Sequence, residues 1–225
     1  MTRFKICGLR ELDHALVAAD SGADFIGFNF VPGVRRQVTP EHAEAVIKEF
    51  RRLRGVGPPQ VVGLFANQPV DEVNRIAGQC GLDLAQLCGN EPPEYWEAVD
   101  IPVIKQIKVR DGDGSEGAAE STRREVAEVI SHGHMAMLDT HREGSLGGTG
   151  KTFDWSIAAA LSGAYDYLLA GGLSPENVGL AIATAMPWGV DVSSGVETDG
   201  VKDPDKIVAF ANQVRLASGN HDAHS

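Results

Sequence analysis

Apolar residues along this chain fall in short dense runs, separated by stretches in which they recur at three- and four-residue spacing. The runs lie at 3–7, 24–30, 60–66, 82–87, 102–109, 135–139, 165–171 and 188–194. Each is close to continuously apolar rather than alternating, as expected of strands covered on both faces in a parallel sheet. Helical spacing occupies 11–21, 40–52, 70–80, 93–99, 121–132, 153–162, 175–185 and 204–217. Three of these stretches open on a capping residue followed by proline: Thr39-Pro40, Ser174-Pro175 and Asp203-Pro204. There a side-chain oxygen can accept an orphan amide, and proline fits the first helical turn.

Eight strand–helix units in 225 residues fit a closed ring better than an open doubly wound sheet. The predicted fold is therefore α/β, a single (βα)8 TIM barrel over residues 1–218. A flavodoxin-like sheet with added strands is the alternative, but no Gly-x-Gly-x-x-Gly follows the first run. The glycine-rich acidic segment 111–121 reads as a mobile insertion, and 219–225 as a disordered tail.

Composition narrows the partners. A net charge of −11 argues against nucleic acid or an anionic membrane surface, yet leaves room for a small anion held by local amides and one arginine. Cys7, Cys80 and Cys88 are an odd set without a C-x-x-C pair, so neither a disulfide framework nor zinc spacing follows. The N-terminus has no apolar signal core and no run approaches a membrane span, which makes the cytoplasm the expected compartment.

In such barrels chemistry sits at the carboxyl ends of the strands and in the loops that follow. Cys7-Gly8 ends the first run. Arg35 and Arg36 follow the second, and Asp139-Thr140 ends the sixth, ahead of a loop with Gly147-Gly148-Thr149-Gly150. Gly171-Gly172 ends the seventh run and Ser193-Ser194-Gly195 the eighth. The last two glycine turns can expose amides to a phosphate. Cys7 and Asp139 are the candidate acid–base pair. In a barrel about 15 Å across, strands one and six stand about 13 Å apart. A sugar carbon chain fits between two short inward side chains at that spacing, whereas a direct contact does not form. Arg36 can clasp a carboxylate bidentately. Lys105, midway along the fifth run, needs an anionic partner if it points inward and can reach water if it points outward.

With those residues in place, the chain resembles the phosphoribosylanthranilate isomerase family of the tryptophan pathway. The likeness is carried by KICGL (5–9), GADFIGFNF (22–30), RQVTPEHA (36–43), VGLFAN (62–67), LDLAQLCGNE (82–91), LDTHREGSLGGTGKTFDW (138–155), LAGGLSPENV (169–178) and VDVSSGVETDGVKDPDKI (190–207). The resemblance implies an Amadori rearrangement without metal or organic cofactor. It implies Asp139 as general acid, Cys7 as general base and Arg36 as holder of the anthranilate carboxylate. Gly171, Gly172, Ser194 and Gly195 would hold the phosphate. The implied partner is a small phosphorylated substrate, and the implied state a monomer or homodimer. Gln37, Cys88 and His141 depart from the residues common in the family at those places, which puts the fine shape of the anthranilate pocket in question. The competing readings are the related isomerase of histidine biosynthesis, which uses carboxylates at both acid–base strands, and a non-catalytic barrel that binds phosphorylated metabolites.

Free thiol and carboxyl pKa values of about 8.5 and about 3.9 leave both groups in the wrong form at neutral pH. The expectation is that the site draws the two values together, lowering that of Cys7 and raising that of Asp139.

Overall fold

The computed structural model describes residues 1–55, 57, 59–109, 114–139 and 155–222. Its strands are β1 (Arg3–Ile6), β2 (Phe25–Asn29), β3 (Gln60–Phe65), β4 (Leu84–Leu87), β5 (Val103–Lys108), β6 (Met135–Asp139), β7 (Tyr167–Ala170) and β8 (Gly189–Val192). All pair in parallel with their sequence neighbours, and β8 returns to β1, so the order closes into a barrel. The closing ladder sets Arg3 against Gly189 and Ile6 against Val192. The predicted (βα)8 barrel is the fold.

Because side chains alternate across each strand, the apolar runs supply two separate cores. Cys7, Phe25, Val62, Leu64, Leu84, Ile104, Met137, Leu168 and Ala170 pack together in the lumen. Their strand neighbours, such as Phe4, Ile6, Ile26, Phe65, Leu138 and Leu169, face outward and pack against the helices. This explains the lack of alternation: both faces of every strand are buried.

The outer layer is α1 (Leu12–Asp20), α2 (Pro40–Arg54), α3 (Val70–Cys80), α4 (Pro93–Glu97), α5 (Gly114–Ser131), α6 (Ser156–Ala159), α7 (Val178–Ala185) and α8 (Pro204–Asp222). Two of the three expected caps form. Thr39 Oγ1 accepts from the His42 amide at 3.2 Å, and Asp203 Oδ1 from the Asp205 amide at 3.0 Å. Ser174 instead starts a separate turn: its carbonyl accepts from the amides of Asn177 and Val178, and α7 begins three residues later than expected.

Two expectations are corrected. The segment 111–121 is largely helical from Gly114 onward, as the first turns of α5, because Ala118 is buried and holds the hydroxyl of Thr122 at 2.8 Å through its carbonyl; residues 111–113 lie outside the described residues. At the other end, α8 continues through 219–222, and only 223–225 of the expected tail lie outside the described residues. Among the described residues, no helix is long and apolar enough to cross a membrane.

One side chain ties the β7 end of the ring to its helices. Tyr167 is fully buried, and its hydroxyl lies 2.8 Å from the Ala158 carbonyl in α6 and 2.7 Å from the Ala185 carbonyl in α7. Tyr167→Phe is expected to strand those buried acceptors and cost about 1–3 kcal/mol of stability, with kcat unchanged. A chemical-denaturation midpoint equal to that of the parent would show the hydroxyl to be dispensable.

Candidate active site

Cys7 follows β1 directly and faces the lumen. It is 5% exposed, and its amide donates to the Val192 carbonyl at 2.8 Å, extending the β1–β8 ladder by one residue. Two residues earlier on the same face stands Lys5, completely buried. Its ammonium donates to Asp191 Oδ1 of β8 at 2.9 Å and to Gln86 Oε1 of β4 at 2.8 Å. The Gln86 amide in turn reaches Cys88 Sγ at 3.4 Å. A polar chain thus runs through the lumen beneath Cys7. Gly27 of β2 leaves space beside it, since a Cβ there would stand 3.2 Å from both Cys7 Sγ and Lys5 Cε.

Burial pushes the Cys7 thiol up from its ordinary value. The Lys5 charge pulls it down, Asp191 pushes it up, Lys202 pulls it down, and burial prevails. This corrects the expectation of a lowered Cys7 value. The two ammonium groups that could stabilise a thiolate are already committed to carboxylates, and little solvent reaches the sulfur. Lys5 itself stays charged: burial opposes its charge, but Asp191 and Cys7 outweigh that cost. Cys88 is pushed to about 12, chiefly by burial, and is an inert thiol.

Asp139 ends β6, in register with Lys108 of β5 and Ala170 of β7. Its carboxylate accepts from the Gln106 side-chain amide, which projects into the lumen from β5. Around the ring, β6 is three strands from β1 by way of β7 and β8. Cys7 and Asp139 therefore stand at the same mouth from separated strands, as the sequence pattern implied. Thr140, His141 and the glycines at 147–150 lie outside the described residues.

Arg36, in the loop between β2 and α2, lies over Gly8. A Cβ at Gly8 would stand 2.6 Å from Arg36 Cδ, and its φ of +74° is one that a side chain rarely permits. The guanidinium is already engaged. Nε and Nη2 donate to the two oxygens of Glu197 at 2.6 and 2.9 Å. Arg35 and Lys202 also donate to Glu197, at 2.6 and 2.8 Å. Burial alone would raise the Glu197 carboxyl, but the hydrogen bonds and charges of Arg36 and Lys202 hold it at about 2. Three cations around one carboxylate leave this cluster with an excess of positive charge in an acidic protein.

Glu197 and Lys202 are residues that the sequence reading missed. They sit on a small hairpin, β9 (Glu197–Thr198) and β10 (Val201–Lys202), which turns through Asp199 and Gly200 at φ of 51° and 81°. Two successive residues at positive φ are the signature of the tight hairpin turn that Asp-Gly favours. The Thr198-Asp199-Gly200-Val201 string was the available signal.

The glycine turns stand next to one another. Gly171 and Gly172 take φ of 95° and 65°. Ser194–Val196 form a single 3-10 turn, in which a Cβ on Gly195 would lie 1.9 Å from the Leu173 carbonyl oxygen. Gly195 is therefore required by the close approach of two loops, and Gly172 by its backbone conformation. Lys202 bridges to this turn through the Ser193 carbonyl at 2.8 Å.

Lys105 belongs elsewhere. It lies on the outer face of β5 with Val103 and Ile107, and its ammonium donates to Glu91 at 2.6 Å and to the Gly89 carbonyl at 2.7 Å. It is a buried clamp on the loop after β4. A second concavity, at the opposite end of the barrel, is lined by Arg3, Asp24, Phe25, Arg51 and Asp83, and its charges pair with one another. Among the described residues, no three His, Cys, Asp or Glu side chains could hold a metal ion.

Comparison with known proteins agrees with this geometry. The family described as N-(5'phosphoribosyl)anthranilate (PRA) isomerase matches residues 4–213. The N-(5'-phosphoribosyl)anthranilate isomerase of Dehalococcoides mccartyi is 44% identical over 221 residues, covering 98% of this chain and 99% of its own. The crystal structure of phosphoribosyl anthranilate isomerase from Thermotoga maritima superposes with a TM-score of 0.81 at 36% identity, over 97% of this chain and 100% of that one. Another isomerase structure, in complex with reduced 1-(o-carboxyphenylamino)-1-deoxyribulose 5-phosphate, gives a TM-score of 0.78 at 33% identity, over 96% of this chain and 100% of that one. With its closed barrel, its inward Cys7 and Asp139 and a match over nearly its whole length, the chain belongs to the N-(5'-phosphoribosyl)anthranilate isomerase family.

Proposed function

We propose that this chain converts N-(5-phosphoribosyl)anthranilate to 1-(2-carboxyphenylamino)-1-deoxyribulose 5-phosphate, as a cytoplasmic step of tryptophan biosynthesis. The observation that carries the reading is the placement of Cys7 and Asp139 at one mouth, three strands apart around the ring. Asp139 gives a proton to the furanose ring oxygen. The C1–O bond breaks as the anthranilate nitrogen lone pair forms a C1–N iminium. Cys7, as thiolate, takes the C2 proton, and the C2–H electron pair becomes the C1–C2 double bond while the iminium π pair returns to nitrogen. The resulting enol tautomerises, losing its hydroxyl proton and gaining one at C1. No atoms or electrons are gained overall, so the rearrangement needs only proton carriers.

The anthranilate carboxylate is assigned to Arg36. Glu197 occupies one edge of that guanidinium and holds it across Gly8, so the substrate carboxylate meets an arginine fixed in place, with Arg35 and Lys202 adding positive charge nearby. The phosphate is assigned to the turns at Gly171, Gly172, Ser194 and Gly195, whose adjacency supports a single site of backbone amides. The histidine-pathway alternative is disfavoured by Cys7, where that enzyme carries a carboxylate.

Phosphoribosylanthranilate generated in situ is fluorescent, and its disappearance on adding the protein is the direct assay. Cys7→Ala and Asp139→Asn are each expected to lose at least about 10³-fold in kcat while folding normally. Near-parental turnover in a folded Cys7→Ala enzyme would end the general-base assignment.

Arg36→Ala is expected to cost about 2–4 kcal/mol in kcat/KM. Glu197 keeps Arg35 and Lys202 as partners, so the melting temperature should move little. An unchanged kcat/KM would place the carboxylate site elsewhere.

Glu197 also sets an acid limit. Its folded-state pKa of about 2 lies below the ordinary carboxyl value. Its stabilisation is therefore complete above that ordinary value and is lost as pH falls through the interval down to about 2. Denaturation midpoints measured from neutral pH into this interval should fall more steeply for the parent than for Glu197→Gln. Parallel curves would show that the cluster adds nothing to acid stability.

A further inference from the structure

We infer that Lys5 is a positioning residue of the active site: its ammonium, clamped by Asp191 and Gln86 in the lumen directly beneath Cys7, stabilises the thiolate form of that cysteine. The inference rests on the proposed role of Cys7 as base and adds to it a source of the base form.

Three observations support it. Lys5 and Cys7 are two residues apart on one strand and face the same lumen, and a Cβ at Gly27 would touch the Lys5 Cε and the Cys7 Sγ equally, at 3.2 Å. Lys5 is fully buried on the lumen face of β1, where an apolar side chain would fill the space without the desolvation cost of a charge. Its partners are arranged to hold it charged: Asp191 on one side at 2.9 Å and Gln86 on the other at 2.8 Å. A buried ion pair adds little net stability, and the nearer of its two charges has the larger effect on a titratable neighbour.

The groups acting on Cys7 come from several elements. Lys5 lies on β1, Asp191 on β8, Lys202 on β10, Arg36 in the loop after β2 and Cys88 after β4; Asp139 on β6 faces the same mouth. Of those that favour the thiolate, the Lys5 charge acts most strongly, ahead of Lys202. Asp191 acts twice and in opposite senses: it keeps Lys5 charged, and its own negative charge disfavours the thiolate. The two members of one ion pair therefore act on Cys7 in opposite senses, as opposite charges must.

The test uses the full chain and its variants Lys5→Met, Lys5→Gln and Lys5→Arg, each with a Cys7→Ser counterpart. The thiolate ultraviolet absorbance of each protein, less that of its counterpart, gives the titration of Cys7 alone. Lys5→Met is expected to shift that titration up by at least about one pH unit and to lower kcat/KM at neutral pH by about tenfold or more. Lys5→Arg should restore most of both. Lys5→Gln should shift the titration up in the same way as Lys5→Met. Should Lys5→Met fail to fold, as judged by circular dichroism, Lys5→Gln decides the matter. An unchanged titration in a folded Lys5→Met or Lys5→Gln protein overturns the inference. A titration that shifts while the acid limb of kcat/KM stays in place would uphold the coupling and remove Cys7 as the base, so the two failures are distinguishable.

Discussion

The pairing of β1 with β8 is the constraint on which the rest of this molecule depends. Four residues of each strand run in register, from Arg3 with Gly189 to Ile6 with Val192, and they join the two ends of the chain. Gly189 has no space for a side chain, since a Cβ would stand 2.7 Å from Leu168 Cδ2 and 3.1 Å from the Arg3 carbonyl. That closeness lets the ring close. Once it does, every inward side chain shares one lumen, and Cys7 is held by the Val192 carbonyl next to the turn that begins at Ser193. An open sheet would leave Lys5 and Asp191 on opposite edges.

Charge is distributed by burial. Among the described residues the lumen holds the ion pair of Lys5 with Asp191, the outer layer that of Lys105 with Glu91, and the mouth Glu197 among three cations. Each is hydrogen-bonded on more than one side, as a charge must be when little water reaches it. The first lies beneath the proposed base and the third fixes Arg36. The second ties the loop after β4 to the wall, with Glu91 also accepting from the amides of Asn67 and Gly89. An acidic chain with a net charge of −11 thereby still gathers Arg35, Arg36 and Lys202 around one carboxylate, a cluster suited to attracting an anionic group.

The resting site does not hold Cys7 as a thiolate by default. Burial outweighs the nearby ammonium groups, and each of those groups already serves a carboxylate. The dry lumen that sharpens every electrostatic interaction also penalises the charged form of the base. The balance between desolvation and Lys5 is the quantity that this architecture controls most directly.

The sequence by itself determined the strand–helix alternation, the strand positions to within a residue or two, the closed ring, and the mouth at which Cys7, Arg36 and Asp139 gather. Those follow from local periodicity and strand-end chemistry, which neighbouring residues encode. Tertiary structure decided what each side chain meets. Arg36 finds Glu197 161 residues away, and Lys5 finds Asp191 186 residues away. Neither pairing is visible in a linear pattern, because each depends on barrel closure and on a hairpin whose Asp-Gly turn is its sole local sign. The same holds for Lys105, whose outward orientation is set by strand parity and whose partner comes from the preceding loop. The direction of the Cys7 shift was misjudged for the same reason: residue types announce a possible base, whereas the desolvation that opposes it is a property of the assembled lumen.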